Sequence, residues 1–195
     1  MSGLAALRRF ARERPPRIEK CELCGAPIGP RHEHLVDPGA HQLKCACQAC
    51  AILFPQHADS KLRRVEPRAE LLVEFNLSDA QWDSLRMPIG LAFFLRSRDG
   101  IAAFYPGPAG ATESLVPLDA WQQVESSNSL TLLPDVEALL VHRLGREREH
   151  YLVSVDHCYR LVGLLRQTWR GFSGGEEASA RIGQFFDELR GGPRA

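Results

Sequence analysis

The sequence predicts an α+β protein in two parts: a small cysteine-rich N-terminal module, then an antiparallel-sheet body carrying two C-terminal helices. Three observations lead there. Five of the six cysteines fall between Cys21 and Cys50. Two pairs of apolar runs, each broken by a short turn containing glycine, read as β-hairpins. Two stretches near the C-terminus repeat apolar residues at helical spacing.

Taken in order, residues 2–12 can form a short helix within a leader of residues 1–17, and Pro15-Pro16 stops it. The metal-binding module runs over residues 18–54. Residues 55–70 are polar with a proline near each end and read as a linker. The body then fills residues 71–195. A strand is expected over Leu71–Leu77, and Ser78 with Gln81 three residues on makes a capping box for a helix reaching Arg86. The runs 91–97 and 101–105 flank Arg98-Asp99-Gly100, a hairpin with Asp-Gly in its turn. A Pro/Gly loop from Pro106 to Ala111 follows, then a brief helix from Leu118 to Val124. The runs 136–144 and 150–155 flank Gly145-Arg146-Glu147 as a second hairpin. Asp156 is placed to cap a helix reaching Arg170, with Cys158, Leu161, Val162, Leu165 and Trp169 on one face. Ser173 and Glu176 suggest a capping box for the last helix, whose stripe is Ile182, Phe185, Phe186 and Leu189.

The cysteine spacing is Cys21-x2-Cys24-x20-Cys45-x-Cys47-x2-Cys50. Two CxxC pairs about 20 residues apart supply four thiolates from two tight turns, which suits tetrahedral zinc, with a hairpin between them. The expected fold is a zinc-ribbon or treble-clef-like module, and the expected ligands are Cys21, Cys24, Cys47 and Cys50. Gly25, directly after the first pair, permits the backbone conformation of a metal knuckle. Iron is the alternative, because four thiolates in this arrangement also bind a rubredoxin-type iron. The second pair, followed by Ala51, lacks the Gly and Pro of a rubredoxin knuckle, which keeps zinc ahead. Cys45 is surplus to a four-thiolate site. His32 and His34, an HxH pair on a strand, point to one face and can serve a second metal, replace a thiolate or, as is more frequent, stay solvated or structural; they are left outside the first set of ligands.

Composition narrows the function. The 195 residues carry 44% apolar and 25% charged side chains, as soluble globular proteins do. No run approaches the ~18 apolar residues of a membrane helix, and no secretory apolar core follows Arg8-Arg9. The chain is expected to stay in the cytoplasm, where reduced cysteines serve metal binding or catalysis rather than disulfides. Its formal charge of zero divides into a basic N-terminal third and an acidic remainder. The basic excess is too modest and too mixed with Glu13 and Glu19 to imply nucleic acid.

The body shows no nucleophile, base and oxyanion set, so the chain is read as no enzyme. His157 and Cys158 are adjacent on a helix and point about 100° apart, which keeps the histidine from activating the thiol. Cys158 shares the apolar face and packs. Residues 104–114 combine two aromatics, a Pro/Gly turn and Thr112, Glu113 and Ser114; they serve equally as a tight turn or as the lining of a pocket.

Two resemblances follow from these motifs. CELCG, HEHLVDP and CACQAC are similar to the zinc scaffold of HNH nucleases over about 30 residues. The family's catalytic Asn and His have no counterpart at 41–43 or at Ala51, so a degenerate nucleic-acid-binding module is an alternative and nucleic acid is an unlikely partner. CELCGAPI, HEHLVD, LKCACQACAILF, FYPGPAGATES, PDVEALLV, VDHCYRLVGLLR and WRGFSGG together resemble, over nearly the whole length, an uncharacterised family of hydrogenase-operon-associated proteins. That resemblance implies a cytoplasmic accessory role in making, assembling or electronically coupling a NiFe hydrogenase. Its partners would be hydrogenase subunits or maturation proteins. Ser154 and Val155 stand where Pro and Ile are expected.

Overall fold

The computed structural model describes residues 19–57, 60–97, 100–170 and 175–191. The expected helix at 2–12, the turn residues Arg98 and Asp99, and the cap residue Ser173 lie outside them. The described chain is α+β, with two antiparallel sheets.

The smaller sheet holds β1 (Glu33–Asp37), β2 (Gln42–Ala46) and β3 (Arg63–Val65) in the order β2-β1-β3. In β1 and β2 the two faces differ. Leu35 and Ala46 point toward the cysteines and the short helix α1 (Gln48–Leu53), whereas Val36, Leu43 and Val65 meet Val155, Val136 and Tyr159 of the body. The hairpin is closed by Asp37, whose carboxylate accepts from the Ala40 amide, and by His41 at φ +49°.

The larger sheet has the order β4-β9-β8-β5-β6-β7, built from β4 (Ala69–Leu71), β5 (Leu91–Ser97), β6 (Gly100–Gly107), β7 (Gly110–Ser114), β8 (Glu137–His142) and β9 (Glu149–Ser154). Helices cover both faces. α4 (Val155–Thr168) and α5 (Gly175–Gly191) pack Leu161, Leu165, Phe185 and Phe186 against Phe93, Leu140 and Tyr151. On the opposite face, α2 (Asp79–Ser84) lies beside α3 (Leu118–Asn128), whose Trp121 and Val124 pack against Phe94, Leu139 and Val141. Every residue of β8 is consequently buried, which is why EALLVH is nearly continuously apolar instead of alternating.

Both expected hairpins form, β5–β6 and β8–β9. Several boundaries differ from the sequence reading. The expected linker 55–70 contains β3 and the first two residues of β4: in β3 only Val65 is buried, while Arg64 pairs with Glu33 across the strand. Segments so short and charged carry no period of their own. The expected strand at 71–77 stops at Leu71. Leu72 donates once more to His150 O, and the chain then turns until the Asn128 side chain takes both the amide and the carbonyl of Asn76. The expected loop from Pro106 to Ala111 is a hairpin, with Gly107 opposite Gly110. Pro106 is tolerated because it lies past Phe104, the last β6 residue paired with β5. α3 continues four residues beyond Val124 to Asn128.

At the start of α4 the N-cap is Ser154, and Asp156 sits in the first turn with its carboxylate accepting from the His157 amide. That helix ends at Thr168 rather than Arg170. Ser78 and Gln81 make the expected reciprocal capping box on α2. One glycine is set by close approach: a Cβ on Gly90 would stand 2.4 Å from Arg143 O, beside the bond that the Arg143 amide donates to Gly90 O.

Candidate metal centre

The first cysteine pair sits on a turn. A bridge between Lys20 and Pro27 closes it, Cys21 donates to Ala26 O at 2.8 Å, and Gly25 returns its amide to Cys21 O at 2.8 Å. The chain reverses here because Gly25 takes φ +75°, a left-handed conformation that costs glycine little. The second pair differs from the expected second tight turn. Cys47 is the N-cap of α1 and Cys50 lies in its first turn, with the Ala51 amide bonded to Cys47 O. Glu22 docks the two halves together: its amide donates to Cys45 O and its carboxylate accepts from the Cys45 amide.

This brings Cys21, Cys24, Cys47 and Cys50 together, with their four Sγ atoms all within 4.8 Å of one another. Cys24 and Cys47 are 3.7 Å apart, far beyond a disulfide bond and close to the edge of a thiolate tetrahedron. For a metal–sulfur bond of about 2.3 Å that edge is about 3.8 Å. Cys21 and Cys50 are buried, whereas Cys24 is exposed.

The electrostatics of the group act oppositely on its two buried thiols. Burial works to raise the Cys21 thiol, but the Cys47, Cys24 and Leu23 backbone groups hydrogen-bonded to its sulfur overcome it and hold the thiol below its ordinary value. Burial, with the neighbouring thiols of Cys47, Cys24 and Cys21, pushes Cys50 well up. A bound cation removes that opposition, since each ligand sulfur is then deprotonated against positive charge.

Cys45 is not among the four. It lies opposite His34 in the β1–β2 register, and with His32 the three form a second group whose ligand atoms are also within 4.8 Å. The His32 and His34 rings meet edge to face at 4.8 Å. Nδ1 of His34 is 3.1 Å from Asp156 Oδ2, and Nδ1 of His32 is 2.8 Å from Gly29 O. Burial opposes the Asp156 charge, yet hydrogen bonds from His34 and Ser154 outweigh it and lower that carboxyl to about 2. The contact with Asp156 links residues 122 positions apart. That contact is invisible in the sequence, whereas the HxH spacing and the surplus Cys45 are local signals of the three-residue group alone.

The body residues singled out from sequence are structural or peripheral. Cys158 is fully buried among Leu161, Leu165 and Phe185, and burial pushes its thiol far above the ordinary value. Phe104 and Glu113 of the β6–β7 hairpin line a cavity of about 750 Å³ with His41, Arg96 and Tyr159. Among the described residues no helix is long and apolar enough to cross a membrane.

A model of a family of unknown function, DUF5947, matches residues 20–192. The chain belongs to that family. The match spans both sheets and both cysteine groups. No curated protein and no solved structure matches the chain.

Proposed function

We propose that this member of DUF5947 is a non-enzymatic metal-binding accessory protein, in which Cys21, Cys24, Cys47 and Cys50 hold one zinc ion and the chain acts by protein–protein contact. One observation carries the metal reading: four thiols within 4.8 Å, with a 3.7 Å edge between Cys24 and Cys47 that fits tetrahedral coordination. The order of parts supports a treble-clef-like module. A knuckle gives one ligand pair, a hairpin follows, and the start of a helix gives the other pair.

Contact with partners is supported by exposed apolar side chains on the same module. Ile52, Leu53 and Phe54, at the end of α1, are 43%, 59% and 38% exposed. The process we assign is assembly or maturation of a NiFe hydrogenase in the cytoplasm. The motif resemblance along nearly the whole chain supports it, and hydrogenase subunits or maturation proteins are the partners it names.

Metal analysis and absorption spectra of protein purified anaerobically test the first part. Zinc that is lost from Cys21→Ser/Cys24→Ser, in a colourless protein, is the expected result. Stoichiometric iron with visible absorption, lost in the same variant, overturns zinc in favour of a rubredoxin-like electron carrier. Pull-down against purified hydrogenase subunits and maturation proteins tests the second part, and the absence of enrichment over a control protein overturns it.

A further inference from the structure

We infer that His32, His34 and Cys45 form a second metal site, separate from the four cysteines, which takes a borderline divalent cation such as zinc. The three come together because of sheet register. His34 and Cys45 are direct cross-strand partners on the face of the hairpin opposite Leu35, and His32 precedes His34 by two residues, on the same side. Their ligand atoms lie within 4.8 Å of one another.

The hydrogen bonds prepare both imidazoles as ligands. A carbonyl only accepts, so the 2.8 Å contact of His32 Nδ1 with Gly29 O assigns the proton to Nδ1 and the lone pair to Nε2. That Nε2 is buried and has no hydrogen-bond partner among the described residues, on a side chain only 9% exposed. A buried imidazole lone pair left without a donor is unfavourable, and a metal ion satisfies it. His34 repeats the arrangement: Nδ1–H faces the Asp156 carboxylate at 3.1 Å and leaves Nε2 as its lone-pair nitrogen. A histidine whose far N–H is held by a carbonyl or a carboxylate is the usual companion arrangement of metal-bound imidazole.

Two imidazoles and one thiolate are a donor set for zinc or a neighbouring transition metal rather than for calcium or magnesium. Three protein donors leave a fourth position of a tetrahedral ion to an exchangeable ligand. Space for one is present. His32 and His34 line a cavity of about 720 Å³ together with Glu19, His157, Tyr159 and Arg160. The site also crosses the seam of the molecule, because the ligands belong to the small sheet while Asp156 belongs to α4. The link from the site to the body runs through the Asp156 carboxylate behind His34.

The test is Co²⁺ titration of the full chain, chelator-stripped and reduced, followed by absorption and metal content. The wild type is expected to bind two ions per chain. Cys45→Ser and His34→Ala each bind one and keep the tetrathiolate spectrum, which also shows that these variants fold. Asp156→Asn keeps both ions but weakens one about 10–100-fold. A wild type that binds a single ion, retained unchanged in Cys45→Ser and His34→Ala, overturns the second site. So does an Asp156→Asn variant with both affinities unchanged alongside a Cys45→Ser variant that has lost all metal. A single ion that survives Cys21→Ser/Cys24→Ser but is lost in Cys45→Ser instead removes the tetrathiolate reading and leaves this one standing.

Discussion

The small sheet and the six-stranded body solve the same problem with different means. The body buries two apolar layers, one on each side of its sheet, and their largest members are Trp121, Tyr151, Phe94, Phe185 and Phe186. The cysteine-rich part buries Cys21, Leu35, Ala46, Cys50 and Ala51, with Leu23, Ile28 and Leu62 packed at the margin. Two of the five fully packed positions are therefore candidate metal ligands. A cluster of that size offsets little of the conformational entropy of ordering some 40 residues, and on the proposed reading metal coordination supplies most of the difference. Between them runs a thin seam: Val36 and Val65 against Val155, the Tyr159 hydroxyl donating to His41 O at 2.7 Å, and His34 facing Asp156.

Breaking the metal group gives the largest expected effect. Structural zinc contributes about 10–16 kcal/mol of apparent binding free energy in small zinc modules at pH 7. Removing metal with a chelator, or replacing Cys21 and Cys24 by Ser, should melt residues 19–54, while the body keeps one cooperative transition. Hydrogen exchange reads this directly. Amides of β1, β2 and α1 should lose protection, and those of β8 should retain it. Loss of protection in β8 as well would mean that the seam couples the two regions into one cooperative unit.

The reciprocal change comes next. Phe94 is fully buried and stacks on Trp121 at 5.0 Å. Phe94→Ala removes the ring from a position flanked by β8 and α3, and should cost about 3–5 kcal/mol. Denaturant unfolding followed by tryptophan fluorescence measures it. Metal content per folded chain should not change. A parallel loss of metal would show that the module depends on the body for its shape.

The same contrast explains how much was legible in the sequence. The cysteine pairs announce themselves because CxxC spacing is a local property, and so do the β5–β6 and β8–β9 hairpins and the Ser78–Gln81 box. What stayed hidden depends on distant partners. β3 and β4 are three residues each and are strands only because β1 and β9 offer them a ladder. The β6–β7 hairpin hides behind proline and glycine, which usually mark loops. The layer of α2 and α3 over the second face of the sheet was also missed, because a short amphipathic helix does not say which face it will cover. In the candidate site, the four cysteines were readable from spacing. The grouping of His32, His34 and Cys45, with Asp156 behind it, required the strand register and a contact across 122 positions.

Acid should separate the regions by chemistry. His150 in β9 is buried against Phe75, with ring centroids 4.9 Å apart. Burial, helped by the Arg143 charge, lowers it from 6.5 to about 4. The folded body thus holds His150 neutral while the unfolded chain takes up a proton below pH 6.5. Stability is fully present above that value and is lost as pH falls toward 4, by about 2–3 kcal/mol in all. His150→Gln should flatten this part of the pH profile, measured as denaturant midpoints of the body between pH 7 and pH 4. The cysteine module should respond to acid in both proteins alike, because its thiolates lose metal as they take up protons. A profile unchanged by the substitution would place the acid sensitivity of the body elsewhere.

The smallest effect sharpens the comparison from the side of the body. Ser78 caps α2: its hydroxyl accepts from the Gln81 amide at 3.2 Å, and the Gln81 side chain returns to the Ser78 amide at 2.9 Å. The helix is short and exposed, and it covers the sheet through Trp82, whose ring lies 6.4 Å from Phe94. Ser78→Ala removes one partner of the reciprocal pair and should cost about 1 kcal/mol. Because the packing of Trp82 survives, the loss should come from the end of the helix rather than from the core. A thermal midpoint lowered by a few degrees, with Trp82 fluorescence and metal content unchanged, is the expected outcome. A loss as large as that of Phe94→Ala would instead make the cap the element that holds α2 on the sheet.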